Sequence, residues 1–252
     1  MGPTRHPAIA LVATLMISAA EAGEPDYAGE RRQMVAEVAA MARATAAETG
    51  RQRFADPVLR AMDRVPRHRF VPEAVVGYAY RNRPLSIGDG QTISQPYIVA
   101  LSTELLDPKA SDVVLEVGTG SGYQAAVLAE LVDRVYSIEI IEPLGRQAAD
   151  RLAALGYRNV EVRIGDGYQG WAENAPFDAI VVTAAAPHVP EPLLAQLKPG
   201  GKMVIPVVGR AQGQEMLLVV KGEDGTLQTR AVIPVRFVPL TGDGTGIKPH
   251  GR

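Results

Sequence analysis

Apolar, strand-like runs alternate with helical stretches over the second half of this chain, and no other feature restricts its fold as strongly. The runs are Val113–Val117, Arg134–Glu139, Val160–Ile164, Ala179–Thr183, Lys202–Val207 and Met216–Val220. Helical stretches separate the first five runs, which is typical of a mostly parallel, doubly wound sheet with right-handed crossovers. The last two runs are joined by the glycine-rich segment 209–213, so this pair can instead form a hairpin.

The first half of the chain reads as helical. Residues 26–48 are rich in alanine, glutamate and arginine, and apolar residues recur there at helical spacing. Asp56 and Pro57 predict the cap and first residue of a second short helix, which Pro66 ends. We therefore expect one α/β domain with a helical cap at its N-terminal side.

Both ends of the chain are predicted to lie outside that domain. An uncharged run over residues 7–20 follows Arg5 and His6, and Ala20-Glu21-Ala22 supplies a small-x-small cleavage pattern. These features predict a signal peptide over residues 1–22, although an apolar helix packed on the domain or a misplaced start codon would give the same pattern. The run is too short to span a hydrocarbon core of roughly 30 Å. The glycine-rich segment 241–252 is predicted to be a flexible tail.

Composition excludes several function classes. The chain has 26 basic and 28 acidic residues and a formal charge of −2, without the basic excess that nucleic-acid binding requires. It contains no cysteine, which removes disulfides, thiolate metal sites and cysteine nucleophiles. We expect no metal site.

A glycine-rich turn follows the first strand-like run. The glycines Gly118, Gly120 and Gly122 have the spacing G-x-G-x-G, and Tyr123 stands where the dinucleotide fingerprint needs its third glycine. No Gly-Lys-Ser/Thr follows, so the turn is not a P-loop. Such a turn lets a ligand approach the backbone closely, but alone it indicates no particular ligand.

Acidic residues at the ends of the next two strands restrict the class of ligand that this turn can bind. Glu139, about 20 residues after the glycines, can accept both hydroxyls of a ribose. Asp166, between two glycines after the third strand, can accept a hydrogen bond from an adenine amino group. Alternatively, each carboxylate merely caps the helix that follows it. Glu116, before the turn, would repel phosphates but help to hold an amino-acid group, so the combination indicates S-adenosylmethionine.

The sequence also resembles the protein-L-isoaspartate (D-aspartate) O-methyltransferase family, and the motif Gln91–Ala100 (QTISQPYIVA) carries much of this resemblance. The other matching motifs, in chain order, are Val65–Pro72, Leu115–Tyr123, Phe177–Ala185, Leu197–Gly201 and Pro234–Leu240. The similarity covers residues 30–240. It implies a Rossmann-like S-adenosylmethionine-dependent methyltransferase fold in a single domain over residues 23–240. Within that domain, residues 30–110 would hold the helical cap and substrate motif, and residues 111–240 the cofactor-binding sheet.

The resemblance implies methylation of the α-carboxylate of L-isoaspartyl and D-aspartyl residues in damaged proteins and peptides, which starts their repair through a succinimide. It places Ser94 at the active site, where its hydroxyl can donate a hydrogen bond to the substrate carboxylate. The residues expected to bind the cofactor are Glu116, Gly118, Thr119, Gly120, Ser121, Gly122, Glu139, Asp166, Gly167 and Thr183. The residues expected to bind the substrate are Thr92, Ile93, Gln95 and Val238.

The sequence is compatible with two other functions. The chain could methylate a different carboxylate substrate, or it could be a non-catalytic exported domain that binds altered proteins. The expected partners are isoaspartyl-containing proteins and peptides, with no nucleic acid and no stable membrane insertion, and the expected state is a monomer. The signal peptide predicts export to a bacterial periplasm, with a cytoplasmic location as the alternative.

Overall fold

The structure, a computed structural model, describes Gly2 and the two segments 26–209 and 213–246. Apart from Gly2, the predicted signal peptide lies outside the described residues. The α-helices of the described segments are α1 Tyr27–Ala44, α2 Ala46–Thr49, α3 Asp56–Arg64, α4 Pro96–Leu106, α5 Tyr123–Ala129, α6 Glu142–Ala154 and α7 Glu191–Gln196. The strands are β1 Leu85–Gly88, β2 Gln91–Ile93, β3 Val113–Val117, β4 Arg134–Glu139, β5 Val160–Ile164, β6 Phe177–Val182, β7 Leu197–Val208, β8 Gln214–Lys221 and β9 Leu227–Val235.

Seven of these strands form one sheet in the order β5-β4-β3-β6-β7-β8-β9. The strands from β3 to β7 are parallel to their neighbours, whereas β8 and β9 pair antiparallel. The predicted doubly wound, mostly parallel sheet is therefore confirmed, and the optional β7–β8 hairpin is present. The strand order reverses between β3 and β6, and ligands bind beside the carboxyl ends of strands at such a switch point.

The central strand β3 shows why the sequence forms this sheet. Val114 belongs to the apolar core on one face of the sheet, and Leu115 and Val117 belong to the core on the other. A strand covered on both faces is expected to be apolar throughout. Glu116 breaks that rule because it is a fully buried carboxylate within the run. A buried carboxyl group in a central strand needs a hydrogen-bonding or charged partner, so a polar or ligand-binding site is expected next to Glu116.

The predicted helical cap is present on the face covered by α1, α3 and α4. Asp26 caps α1 by accepting a hydrogen bond from the Gly29 N–H at 2.8 Å. The second cap differs from the prediction: Ala55 is the N-cap of α3, Asp56 lies in its first turn, and neither side chain makes a capping hydrogen bond. The Ala55 N–H is instead bound by the Glu104 carboxylate of α4 at 2.8 Å, so a tertiary contact replaces the local cap.

The substrate motif lies between a small hairpin and a helix. Strands β1 and β2 pair antiparallel outside the main sheet. Ser94 and Gln95 then link β2 to α4, which begins at Pro96 with Gln95 as its N-cap. Proline at the first helical position loses no hydrogen bond, so it fixes where the helix starts. The motif is therefore a short connection held at both ends.

The predicted flexible tail differs from the structure in its first half. Gly242 precedes a short 3-10 helix, Asp243–Thr245, and the Asp243 N–H donates to the Asp166 carboxylate at 3.0 Å. Residues 241–246 are thus packed against the domain, while residues 247–252 lie outside the described residues. No helix in the described part of the chain is long and apolar enough to cross a membrane.

Candidate active site

Three glycines with positive φ shape the turn between β3 and α5. Gly118, Gly120 and Gly122 have φ angles of 96°, 52° and 87°, which a residue with a side chain adopts only with strain. Gly118 has a second constraint, because a Cβ there would overlap the hydroxyl of Thr183. The Thr183 Oγ1 donates to the Gly118 carbonyl at 2.6 Å, and its N–H donates to the Val117 carbonyl at 2.9 Å. These bonds join the turn to the end of β6 across the switch point.

Glu139 stands at the end of β4, where the ribose-binding prediction requires it. One carboxylate oxygen accepts a hydrogen bond from the Gly120 N–H at 2.7 Å, and the other accepts one from the Ile141 N–H at 2.9 Å. Burial raises the pKa of Glu139, and these backbone hydrogen bonds oppose the rise. A carboxylate oxygen can accept a second hydrogen bond, so the fixed side chain can also accept ribose hydroxyls.

Glu116 has one satisfied and one unsatisfied carboxylate oxygen. Ser137, its register partner on β4, donates a hydrogen bond to Oε2. Oε1 is buried and has no hydrogen-bond partner in the described part of the chain. Burial raises the pKa of Glu116 to about 8 and the charge of Glu139 adds to this, whereas the Ser137 hydroxyl and, more weakly, the backbone of Ala125 oppose the rise. Since a buried polar atom without a partner costs free energy, Oε1 marks a position for a ligand that donates a hydrogen bond.

The hydroxyls of the turn are buried and serve its internal structure. Thr119 Oγ1 lies 2.6 Å from Ser137 Oγ, which extends the chain of hydrogen bonds from Glu116 to the turn. Ser121 Oγ accepts a hydrogen bond from the Tyr123 N–H at 3.2 Å, at the first turn of α5. Thr119 and Ser121 therefore hold the turn in place.

Three clefts meet at this edge of the sheet, and we name them by position. The turn cleft, about 540 Å³, is lined by Gln91, Thr92, Val117, Gly118, Gly120, Ile138, Glu139, Ile140, Ile141, Gly167, Thr183, Ala184, Val238, Pro239, Leu240 and Thr241. The Ser94 groove, about 900 Å³, is lined by Pro84, Thr92, Ser94, Gln95, Ile98, Thr183 and residues 234–238. The connecting cleft, about 310 Å³, is lined by Thr92, Ile93, Ser94, Val99, Glu116, Gly118, Thr119, Gly120, Ser121, Tyr123, Gln124 and Thr183.

Thr92 and Thr183 line all three clefts. A group bound in the turn cleft can therefore meet a group bound in the groove at these two threonines.

Asp166, like Gly122, is a predicted cofactor-binding residue that lines none of the three clefts. Its carboxylate caps the 3-10 helix after β5 by accepting from the Tyr168 N–H at 2.9 Å, and it also accepts from the Asp243 N–H at 3.0 Å. The capping interpretation therefore describes this side chain. Its neighbour Gly167 does line the turn cleft, and a Cβ there would overlap the Val117 side chain.

Ser94 lies at the boundary between the groove and the connecting cleft. Its hydroxyl makes no hydrogen bond to any described residue, while its carbonyl accepts one from Arg67 Nη2 at 2.8 Å. Gln95 Nε2 donates to the Asn82 carbonyl at 3.0 Å, which ties the motif to the preceding loop. The Ser94 hydroxyl is thus available to a ligand, and its backbone is fixed.

The two histidines nearest in sequence to these motifs do not serve Ser94. His68 Nδ1 lies 2.7 Å from the Tyr80 hydroxyl, and His188 Nε2 lies 2.8 Å from the Tyr168 hydroxyl. Neither His68 nor His188 lines any of the three clefts. The described residues therefore give Ser94 no base that would make it a nucleophile.

Sequence reasoning missed two side chains of this site. Ser137 carries a weak signal, since a hydroxyl inside the apolar run of β4 needs a partner when buried. Arg67 carries none, because in sequence it reads as part of the basic run Arg67-His68-Arg69. Its complete burial appears only in the tertiary structure.

Fold and site together define a class of protein. The sheet has its switch point between β3 and β6, a glycine-rich turn stands there, and an acidic residue ends the neighbouring strand. No lysine, arginine or histidine is among the described residues that line the turn cleft and the connecting cleft. These are the features of a Rossmann-like methyltransferase that binds a nucleoside without a pyrophosphate.

Comparison with known proteins gives the family. A family model described as protein-L-isoaspartate(D-aspartate) O-methyltransferase (PCMT) matches residues 45–245. The chain is 60% identical over 234 residues to protein-L-isoaspartate O-methyltransferase 1 of Cupriavidus necator, covering 93% of this chain and 90% of that protein. It is 57% identical to protein-L-isoaspartate O-methyltransferase 2 of Syntrophobacter fumaroxidans, with coverage of 92% and 96%. The chain therefore belongs to the protein-L-isoaspartate(D-aspartate) O-methyltransferase family.

Solved structures agree on the fold. A protein-L-isoaspartate O-methyltransferase matches with a TM-score of 0.74 at 28% identity, covering 84% of this chain and 66% of that one. A putative protein-L-isoaspartate O-methyltransferase from Plasmodium falciparum, solved with S-adenosyl-L-homocysteine, matches with a TM-score of 0.70 at 24% identity, covering 84% and 98%. The predicted Rossmann-like methyltransferase fold is confirmed.

Proposed function

We propose that this protein transfers a methyl group from S-adenosylmethionine to the free α-carboxylate of L-isoaspartyl residues, and to the free β-carboxylate of D-aspartyl residues, in damaged proteins and peptides. The observation that carries the proposal is the junction at Thr92 and Thr183, where the turn cleft, which has no cation among its described lining residues, opens onto the groove that holds Ser94. Membership of the family supplies the substrate class. In the isoaspartyl ester, the amide nitrogen of the following residue attacks the ester carbonyl and expels methanol, and hydrolysis of the resulting succinimide returns a part of the molecules to normal aspartate.

The residues of the turn cleft and of the connecting cleft fit the cofactor. S-adenosylmethionine, when bound, supplies a methyl group activated by its sulfonium. Glu139 accepts the ribose hydroxyls, and the unpaired Glu116 Oε1 accepts from the ammonium of the methionine part. Glu139 and, once it is ionised, Glu116 would also favour a cationic ligand, and no cation lines the turn cleft or the connecting cleft within the described residues. Gly118 and Gly120 let the ligand approach the backbone.

Ser94 orients the substrate. A substrate carboxyl with an ordinary pKa of roughly 4 is already ionised at neutral pH, so no general base is needed. The Ser94 hydroxyl makes no hydrogen bond to any described residue, so it can donate one to an oxygen of the substrate carboxylate. The other carboxylate oxygen is then free to accept the methyl group. Rate enhancement then comes mainly from alignment of the two reacting groups.

The remaining predicted substrate residues frame the groove. Thr92 and Gln95 line it beside Ser94, and Val238 lines both the groove and the turn cleft. Ile93 is buried and lines the connecting cleft, where it packs beneath the motif. We assign Thr92, Gln95 and Val238 to contact with the peptide and Ile93 to support of the loop.

A matched pair of peptides tests the activity. The protein starting at Gly23 is incubated with methyl-labelled S-adenosylmethionine and two peptides that differ only in an aspartyl or an isoaspartyl linkage. Base-labile label on the isoaspartyl peptide alone is the expected result. Binding of the cofactor without label on either peptide would instead assign the chain to another carboxylate or to binding without turnover. A protein that binds no cofactor would contradict the methyltransferase function itself.

Export and oligomeric state belong to this proposal as well. The signal-like segment 1–22 supports export to the periplasm with a mature N-terminus at Gly23, and the proposed state of the mature protein is a monomer. Fractionation of cells expressing the full chain should give a periplasmic protein whose N-terminal sequence starts near Gly23. A cytoplasmic protein that retains residues 1–22 would overturn the export proposal without affecting the activity. Light scattering of the purified protein should give a mass close to 26.8 kDa less the removed segment.

A further inference from the structure

Arg67 is a fully buried cation that contacts no carboxylate among the described residues. Its Nε donates to the Ala79 carbonyl at 2.8 Å, and its Nη2 donates to the Ser94 carbonyl at 2.8 Å. The guanidinium carbon lies 4.7 Å from the centre of the Tyr123 ring. Burial lowers the pKa of Arg67 to about 10, so the side chain stays charged at neutral pH.

Burying this guanidinium costs free energy that an apolar side chain of similar volume would not cost. We therefore ask what the charged group does at this position that an apolar side chain cannot do. A buried cation without an anionic partner loses its hydration, and carbonyl dipoles and an aromatic ring replace only part of it. A guanidinium is a rigid, planar fork that can hold two carbonyls in a fixed relative orientation, whereas a lysine ammonium fixes no such plane. The two carbonyls that Arg67 holds belong to two different loops.

The position of these contacts connects the two halves of the site. Ser94 lines both the groove and the connecting cleft. Tyr123 is the first residue of α5, directly after the glycine turn, and it lines the connecting cleft with Ser94 and Glu116. Arg67 thus contacts the backbone of the substrate motif on one side and the start of the cofactor-binding helix on the other.

We propose that Arg67 is a positioning residue, whose bond to the Ser94 carbonyl sets the place of the Ser94 hydroxyl relative to the glycine turn. Arg67 itself does not line the turn cleft, the groove or the connecting cleft, so it acts through Ser94. This inference rests on the proposed function, because it concerns the alignment of an isoaspartyl carboxylate with the methyl donor.

Two substitutions test the proposal. Arg67→Met keeps much of the volume and removes both donors, and Arg67→Lys keeps the charge but loses the fork. For Arg67→Met we expect kcat for the isoaspartyl peptide to fall by ~10- to 100-fold, as for a misplaced catalytic group. The Kd of S-adenosylmethionine, measured by calorimetry, should stay within about twofold of the original, since hydrogen bonds at a distance from the turn cleft are removed. Arg67→Lys should have a higher melting temperature than Arg67→Met. Its log kcat, however, should lie closer to that of Arg67→Met than to that of the original protein.

Hydrogen exchange provides a readout that does not depend on activity. Loss of the Arg67 bonds should speed amide exchange in the segment 91–99 and leave β3 and β6 unchanged. Phe177→Leu is the matched control: Phe177 is fully buried at the opposite end of β6 and packs on Tyr136. This control should lower the melting temperature without a change in kcat measured well below that temperature.

A double-mutant cycle decides whether Arg67 acts through Ser94. If it does, Arg67→Met should reduce kcat far less in a Ser94→Ala protein than in the original, because the hydroxyl to be positioned is gone. Equal reductions in both backgrounds would overturn the proposal, as would an unchanged kcat in a folded Arg67→Met protein. If Arg67→Met does not fold, the same cycle is run with Arg67→Lys and decides in the same way. An original protein that methylates no isoaspartyl peptide would refute the proposed function, whereas the exchange experiment would still report on the contact.

Discussion

Glu116 shows how one residue links the stability of the protein to its ligand. It is completely buried in the central strand, bound by Ser137 on one oxygen and unpaired on the other. A carboxylate in that position is unfavourable until a cation or a hydrogen-bond donor reaches Oε1. The ligand-free protein therefore favours the protonated form, which the raised pKa of about 8 expresses.

The stability of the ligand-free protein should accordingly fall as the pH rises. Unfolded Glu116 releases its proton near its ordinary pKa of 4.5, whereas folded Glu116 keeps it until about pH 8. Between these values the folded state binds more protons, so the free energy of unfolding decreases with pH, by up to about 1.4 kcal/mol per pH unit for one such group. Urea unfolding from pH 4.5 to 8 measures this slope, and Glu116→Gln should reduce it.

Glu161→Gln is the control for that slope, since Glu161 is exposed on β5. It should leave the pH dependence as it is in the original protein. Glu139, whose pKa burial also raises, contributes in the same direction, so a residual slope in Glu116→Gln is expected. A slope that Glu116→Gln leaves entirely unchanged would contradict the assignment.

At Ser94 the expected loss concerns turnover rather than cofactor binding. Ser94→Ala removes one hydrogen bond to a charged carboxylate, worth about 1.5–3 kcal/mol, so kcat/KM should fall roughly 10- to 150-fold. Calorimetry should find the affinity for S-adenosylmethionine unchanged. Ser86→Ala, at an exposed position of the neighbouring strand β1, should alter neither quantity. Full activity in Ser94→Ala would refute the role given to this hydroxyl.

At the scale of single elements, a comparison of two glycines distinguishes the cost of backbone strain from the cost of steric overlap. Gly118 has φ of 96° and Gly156, after α6, has φ of 88°, but only a Cβ at Gly118 would meet another residue, the Thr183 hydroxyl. Gly156→Ala should cost about 1 kcal/mol of stability, from positive φ alone, and leave cofactor affinity intact. Gly118→Ala should cost more and weaken cofactor binding at least tenfold, because the turn or β6 must move.

Chemical denaturation and calorimetry on this pair of variants check the comparison. Equal losses of stability and equal cofactor affinities in Gly118→Ala and Gly156→Ala would show that the contact with Thr183 has no consequence for the cleft.

Elements differ in how well the sequence predicts them. The bounds of β3, β4 and β5 match the predicted runs. Strand β3 is apolar apart from Glu116 because both of its faces are covered, whereas β5 is an edge strand in which apolar and charged residues alternate. Strand β9 was missed: four of its first five residues carry polar or small side chains and all five are exposed, since β9 lies at the edge of the sheet. Its strand character comes from pairing with β8, which no local pattern encodes.

At the scale of the whole molecule, the C-terminal segment closes one side of the turn cleft. Thr241 lines that cleft, and the helix Asp243–Thr245 binds Asp166 through a backbone N–H. Truncation after Leu240 should leave the domain folded and raise the Kd of S-adenosylmethionine several-fold, because part of the wall is lost. Truncation after Gly246, which removes only residues outside the described part, should leave the Kd unchanged. Identical affinities in the two truncated proteins would show that the segment does not contribute to the cleft.

The sequence by itself determined the parallel sheet, the glycine turn, and the positions of Glu116 and Glu139 beside that turn. These depend on local rules: apolar runs, glycine at positive φ, and acidic residues at strand ends. Only the tertiary structure decided that Asp166 binds backbone N–H groups rather than the cleft and that Arg67 holds Ser94. The reason is physical, since the partner of a carboxylate or guanidinium is set by which distant segments pack beside it, and Asp243 and Ser94 reach these side chains only once the sheet and its cap have assembled.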